Sequence, residues 1–120
     1  MAYILGMPSV PLTVVETPQF VRQADQVWAD EERQEFVDYI ARNPEAGDLI
    51  PETGGVRKVR WRRQGMGKRG GVRVIYFYHN PTTPLFLLMV YAKAVRENAA
   101  PDAKKALAEF ANRIKRAQRR

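Results

Sequence analysis

The sequence predicts a small α+β protein in which helices pack on one largely antiparallel sheet. Three strand-like runs rich in β-branched and aromatic residues occupy the second half of the chain, and apolar residues at helical spacing flank them. The elements do not alternate strand by helix, which argues against a doubly wound parallel sheet. With 120 residues, 45% hydrophobic and 28% charged, the chain is expected to form one domain around one core.

The first half of the chain predicts one strand and two helices. A β-branched run over residues 11–17 favours a strand. Thr17 followed by Pro18 is typical of a helix N-cap with proline at the first helical position. Asp30 opens a second helix, because acids suit the positive end of the helix dipole, and Asn43 ends it, because a residue before proline avoids the α region. The apolar residues expected to face the core are Phe20, Ala24, Val27, Trp28, Phe36, Val37, Ile40 and Ala41.

The second half predicts three strands and a final helix. After a loop, strands are expected over residues 56–62, 72–79 and 85–93, and the short turn between the last two makes them antiparallel neighbours. Because successive side chains of a strand point to opposite faces, Arg73 should lie on the opposite face from the valines that flank it. An amphipathic helix is expected to begin at Pro101. Its buried stripe is predicted to be Ala103, Leu107, Phe110, Ala111 and Ile114.

Positive charge is concentrated in one part of the chain. Residues 1–55 carry ten acids and three arginines, a net charge of −7, whereas residues 56–120 carry seventeen bases and three acids, a net charge of +14. Eight of those bases lie within residues 56–73, which contain no acid. Such asymmetry indicates a polyanionic partner, most often nucleic acid. A basic surface that serves only solubility is the alternative.

Several classes of site find no support in the sequence. The chain has no cysteine, so neither a disulfide framework nor a thiolate metal site is predicted, and a cytoplasmic protein is expected. The longest apolar run, residues 84–92, is shorter than the ~20 residues that cross a bilayer, so no membrane partner is expected. The segment GMGKRGG lacks the spacing, the Ser or Thr and the following helix of a P-loop. We expect no metal and no other cofactor.

Three segments of the second half, taken in order, resemble the RelE/HigB family of bacterial toxins. They are TGGVRKVRWRRQGMGKRGGVRVIYFY, FLLMVYAK and ENAAPDAKKAL. The combination of GGVRKVR, GKRGG and RVIY is similar to the HigB-type branch in particular. The resemblance covers about residues 14–114 of a single toxin domain, 1–120. It leaves residues 1–11 as an N-terminal extension and residues 115–120 as a basic tail.

The resemblance implies a RelE-like fold and the activity of a ribosome-dependent mRNA interferase, the toxin of a type II toxin–antitoxin system. Such an endoribonuclease enters the A site of the 30S subunit, beside 16S rRNA, and cuts mRNA through the RNA's own 2′-hydroxyl. The implied partners are mRNA, the ribosome and a helix-turn-helix antitoxin. The alternatives are a non-catalytic RNA- or ribosome-binding module, since the chain has no histidine pair, and a basic interaction protein without a nucleic-acid role.

The resemblance also implies a set of catalytic residues. Arg73 matches the arginine that contacts the scissile phosphate, Lys58 and Arg60 match paired basic residues of the preceding strand, and Lys93 matches a lysine at the end of the last strand. Lys68 completes the candidate set. Repulsion from neighbouring arginines favours the neutral, proton-accepting form of a lysine, which suits Lys58 or Lys68 to act as the base.

Other residues of the same segment are expected to bind RNA. The strand register leaves open whether Arg57 or Lys58 belongs to the site, and Trp61 either stacks on a base or packs inward. The only histidine, His79, lies at a turn and is more typical of a surface residue than of a catalyst. Some relatives carry a tyrosine in the C-terminal segment, but this chain has none after Tyr91. The candidate RNA-binding residues are Arg57, Trp61, Arg62, Arg63 and Arg69.

Overall fold

The computed structural model describes residues 10–62, 71–92 and 101–118 and confirms the predicted α+β fold. These ranges form β1 (Val14–Glu16), α1 (Pro18–Val27), α2 (Asp30–Arg42), β2 (Asp48–Leu49), β3 (Val56–Trp61), β4 (Val72–Phe77), β5 (Leu85–Ala92) and α3 (Pro101–Gln118). The sheet has the order β1-β5-β4-β3-β2. β1 runs parallel to β5, and the other three pairings are antiparallel. No helix in the described ranges is long and apolar enough to cross a membrane.

The helices begin where the sequence predicts. The hydroxyl of Thr17 accepts a hydrogen bond from the Phe20 N–H at 3.4 Å and donates to the Leu87 carbonyl at 2.8 Å, so the N-cap also ties α1 to β5. At the start of α2, the Ala29 N–H donates to the Glu32 carboxylate at 2.9 Å. Helix α3 continues to Gln118, so residues 115–118 of the predicted basic tail are helical.

The two faces of the sheet carry two separate cores, as the predicted alternation along β4 requires. We call the faces after the helices that cover them, the α1–α2 face and the α3 face. The core of the α1–α2 face comprises Phe20, Ala24, Trp28, Phe36, Ile40, Val72, Val74, Tyr76, Leu85, Leu87 and Val90. The core of the α3 face comprises Val56, Ile75, Phe77, Leu88, Tyr91 and Ala111.

Strand β5 contains an irregularity that changes which of its residues point to α3. Ile75 pairs with Met89, but the next residue of β4, Tyr76, pairs with Leu87, so the extra residue between them forms a bulge. A bulge shifts the alternation of a strand by one residue. Leu87 therefore lies on the α1–α2 face while Tyr91, four residues later, lies on the α3 face.

Strand β2 lies in a segment for which the sequence predicts only a loop. Its two residues are exposed at the sheet edge and pair with Arg57 and Lys58 of β3. Distant contacts hold this segment in place, because the hydroxyl of Tyr76 donates to the Pro44 carbonyl at 2.7 Å and accepts from the Gly47 N–H at 2.9 Å. A side-chain Cβ at Gly47 would lie 2.9 Å from the Lys58 carbonyl oxygen, so the close approach requires glycine.

Candidate nucleic-acid interface

Three of the predicted site residues lie together on the α3 face. Arg60 of β3 pairs directly with Arg73 of β4, and Arg73 in turn pairs with Tyr91 of β5. Lys58 pairs with Ile75, which belongs to the core of that face. Residues paired across neighbouring strands point to the same face, so Lys58, Arg60 and Arg73 form one basic patch, which we call the β3–β4 patch.

The β3–β4 patch has no neutralising acid in the parts of the chain that the structure describes. Arg60 is exposed, and Lys58 and Arg73 are half-buried. The guanidinium of Arg73 makes one long hydrogen bond, from Nη1 to the Val72 carbonyl at 3.4 Å. The ion pairs in these ranges join Arg33 to Glu16 and Asp25, and Arg62 to Glu35, so none of them involves the patch.

Aromatic residues hold the end of β3, where the chain leaves the patch. The ring of Trp61 lies 5.2 Å from that of Phe36, edge to face, and 4.8 Å from that of Tyr39. The indole N–H of Trp28 donates to the Arg62 carbonyl at 3.1 Å. Of the two alternatives for Trp61, these contacts favour the inward-packed one, because helix α2 occupies the surroundings of its ring.

Arg62 differs from the patch because it has an acidic partner. Its guanidinium lies 4.9 Å from the centre of the Trp61 ring and 3.5 Å from the Glu35 carboxylate. Both charged side chains are more than half exposed, and exposed pairs of this kind contribute only about 0–1 kcal/mol. The pairing with Glu35 therefore holds Arg62 only weakly, and the binding of RNA by Arg62 stays a prediction.

Comparison with known proteins adds two findings. The family model of the RelE toxin of the RelE/RelB toxin–antitoxin system matches residues 13–120. This chain belongs to the RelE toxin family. A solved structure of the E. coli toxin RelE in the free state, a double arginine mutant, has a similar fold with a TM-score of 0.54 at 13% sequence identity, over 84% of this chain and 97% of that one. The HigB-type branch suggested by the motifs stays a prediction.

In this RelE-family toxin Arg57 lies apart from the β3–β4 patch. It pairs with Tyr76, on the α1–α2 face, and its Nη1 donates to the carbonyls of Gly47 at 2.7 Å and Glu45 at 3.4 Å. Burial raises the pKa of the neighbouring Tyr76 hydroxyl above 10.0, which the Gly47 hydrogen bond and the charge of Arg57 partly offset. Arg57 thus holds the segment before β2. Of the two residues, Lys58 is the one that the strand register places on the same face as Arg73.

The remaining predicted residues, Arg63, Lys68, Arg69 and Lys93, lie outside the described ranges. The two ends of the connection between β3 and β4 are nevertheless fixed. Arg62 is held by Trp28, and a Cβ at Gly71 would collide with the Trp61 carbonyl oxygen. The sequence therefore needs glycine at the point where the basic segment returns to the sheet.

Arg60, Arg73 and Tyr91 are paired across three neighbouring strands, and Tyr91 was not predicted as part of the site. Tyr91 is 9% exposed and lies beside Arg73, although plain alternation from Leu87 would turn it to the other face. His79 follows the far end of β4 and stacks on Phe77, about 20 Å along the chain from Arg73 at ~3.3 Å per residue. No cluster of metal-binding side chains occurs in the described ranges. Lys58 and Tyr91 are titratable groups on the same face as Arg73.

Proposed function

We propose that this RelE-family toxin is a ribosome-dependent endoribonuclease that cuts mRNA in the A site by attack of the 2′-hydroxyl. The observation that carries the proposal is the direct pairing of Arg60 with Arg73 on adjacent strands. Side chains so placed have Cβ atoms roughly 4.5–5.5 Å apart, and like charges there destabilise the sheet. An anion bound between the two guanidinium groups would turn this repulsion into attraction, which is the arrangement expected of a phosphate site.

Arg73 is proposed to bind the scissile phosphate. Its backbone lies within the central strand β4, so the guanidinium is held on a rigid element while charge builds on the phosphorane. The planar fork of arginine donors fits two non-bridging phosphate oxygens. Arg60 is proposed to share that charge from β3, since it pairs with Arg73.

The proton transfers are proposed to use lysine. Cleavage through the 2′-hydroxyl needs a base for that proton, an acid for the 5′-oxygen and stabilisation of the phosphorane. Lys58 lies on the same face, two residues before Arg60, and is the proposed base. Lys68 and Lys93 stay candidates for the acid. Because these groups are weaker proton carriers at neutral pH than histidine, the ribosome is proposed to supply the alignment of the RNA.

The partners follow from the exposed positive charge. A helix-turn-helix antitoxin is proposed to restrain the toxin, either by covering the β3–β4 patch or by making the complex too large for the A site. The mRNA and the 16S rRNA of the 30S subunit are the polyanions that the patch would meet, and the toxin is accordingly proposed to act in the cytoplasm. The charge of +14 on residues 56–120 supports binding driven by release of counterions.

The test is to induce the chain without an antitoxin and to map the 5′ ends of a translated reporter mRNA. New 5′ ends at fixed positions within codons, absent when the start codon of the reporter is removed, are the expected result. Growth arrest without new 5′ ends would favour the non-catalytic ribosome-binding module. Equal cutting of naked and translated RNA would refute the dependence on the ribosome.

A further inference from the structure

We propose that one flank of α3 is a second wall of the RNA site and binds the phosphate backbone of the RNA strand. The flank consists of Lys104, Ala108, Ala111 and Lys115, and we call it the α3 flank. The inference rests on the proposed function, because it takes RNA as the substrate. It gives a role to two lysines, Lys104 and Lys115, that are not among the site residues predicted from the sequence.

The four residues form a single stripe along the helix. Their spacing of four, three and four residues places them one above another on an α-helix. Ala111 is fully buried in the core of the α3 face, together with Val56, Ile75 and Tyr91. Lys104, Ala108 and Lys115 are half-buried. The stripe is therefore the edge of α3 where its buried side meets the open surface of the sheet.

Two contacts show which part of the sheet this edge faces. The opposite edge of α3, with Ala106 and Arg113, lines a groove against the start of α1 and Met89 of β5. A Cβ at Gly54, just before β3, would lie 2.9 Å from the Nζ of Lys115. The α3 flank thus faces β3, the strand that carries Lys58 and Arg60, so basic residues lie on both the helix and the strand where the two meet.

Charge and shape identify the occupant as a polyanionic strand. Neither lysine of the flank forms an ion pair within the described ranges, and the residues between them are alanines, which leave room for a backbone to approach. At 1.5 Å per residue the eleven steps from Lys104 to Lys115 span about 16 Å. That length suits contacts to separate phosphates of one strand, with the scissile phosphate at Arg73.

The test compares two double variants that remove the same charge from the same helix. Lys104→Gln with Lys115→Gln removes the flank lysines. Lys105→Gln with Arg116→Gln removes two exposed bases from the outer side of α3 and is the matched control. The affinity of each for a short single-stranded oligoribonucleotide, with 2′-O-methyl groups to prevent cleavage, is measured by fluorescence anisotropy over a range of salt.

Each phosphate contact contributes about 0.7 to the slope of log affinity against log salt for a single strand. The slope for the flank variant should therefore be smaller by about 1.4. When salt rises fourfold, the factor by which affinity falls should be about seven times smaller for the flank variant than for the unaltered toxin. The control variant should keep most of the slope. Equal losses in the two variants would mean that only total charge matters and would overturn the inference.

A second measurement on the unaltered toxin does not depend on variants that fold. Bound oligoribonucleotide should protect Lys104 and Lys115, but not Lys105, from an amine-modifying reagent read by mass spectrometry. Protection of Lys105 alone, or an unchanged slope in the flank variant, would assign the flank to another partner, such as an acidic antitoxin segment, and overturn the inference. If the unaltered toxin does not bind the oligoribonucleotide at any salt concentration, the inference about the flank fails, whereas the proposed ribosome-dependent cleavage is tested separately by mapping the 5′ ends of a translated mRNA.

Discussion

Replacing Arg73 with alanine separates the proposed catalytic role from any role in the fold. The side chain is half-buried, and within the described ranges its guanidinium makes only the 3.4 Å hydrogen bond to the Val72 carbonyl. Its removal also relieves the repulsion from Arg60, a term of about 0.2–1 kcal/mol for directly paired charges. These two effects oppose each other. We therefore expect the free energy of unfolding to change by no more than about 0.5 kcal/mol, as for an ordinary surface substitution.

The effect of Arg73→Ala on cleavage should be far larger. Loss of one donor that stabilises the charge of a transition state typically lowers the rate ~10²–10³-fold, or about 2.7–4 kcal/mol. Arg73→Lys should recover only part of this loss, because an ammonium group cannot bind two phosphate oxygens with a planar fork. The predicted pattern is a folded, antitoxin-binding protein that no longer arrests growth.

The assay is growth arrest on induction, together with primer extension on an induced transcript. Circular dichroism and thermal unfolding report on the fold of each variant. Arg22→Ala is the matched control, because Arg22 is an exposed base on α1 and its loss changes the net charge equally. A folded Arg73→Ala protein that cuts mRNA at the normal rate would show that the phosphate site lies elsewhere.

Four further predictions concern the fold and the antitoxin. Tyr76→Phe leaves the Pro44 carbonyl and the Gly47 N–H without their partner, so urea unfolding should show a loss of about 1–3 kcal/mol. Burial raises the pKa of Tyr76 above 10.0, so the unfolded chain loses the tyrosine proton at a lower pH than the folded chain. The free energy of unfolding should therefore be at its full value below pH 10 and should fall as pH rises through the pKa of the folded state. Tyr76→Phe should reduce this decline. Gly71→Ala forces a Cβ against the Trp61 carbonyl and should cost about 1–3 kcal/mol in the same urea assay, whereas no loss would contradict the tight approach. Titrations at rising salt should show weaker antitoxin binding if charge contributes to the contact, and an affinity indifferent to salt would instead favour an apolar groove.

The parts of the fold that local chemistry specifies could be predicted from the sequence. Thr17 and Pro18 mark the start of α1 because an N-cap hydroxyl and a fixed φ act within one turn. The period of two along β4 separates Arg73 from its neighbouring valines, and the structure confirms it. The same period in β3 places Lys58 and Arg60 together, but it cannot say which face they share. That depends on the pairing of Lys58 with Ile75.

The features that the sequence did not reveal depend on distant contacts. Strand β2 is only two residues long and the segment before it is held by Tyr76, so the sequence shows no alternation of apolar and polar residues that would predict the strand. The bulge in β5 turns Tyr91 toward Arg73, whereas uninterrupted alternation would bury it against α1 and α2. The aromatic ring of Trp61 lies among arginines and could stack on a base, and only the position of α2 shows that this ring is already in contact with Phe36.

The parallel pairing of β1 with β5 has a consequence for when the β3–β4 patch takes its final form during synthesis of the chain. The first strand of the sheet pairs with the last, and the bond from Thr17 to Leu87 closes a separation of 70 residues. Closing so long a loop is slow and cannot start before β5 has left the ribosome. Because β5 lies between β1 and β4, β4 also lacks one of its two neighbours until then. A nascent chain that ends before residue 85 therefore holds Arg60 and Arg73 without the finished sheet that orients them, and the β3–β4 patch takes its final form only late in synthesis.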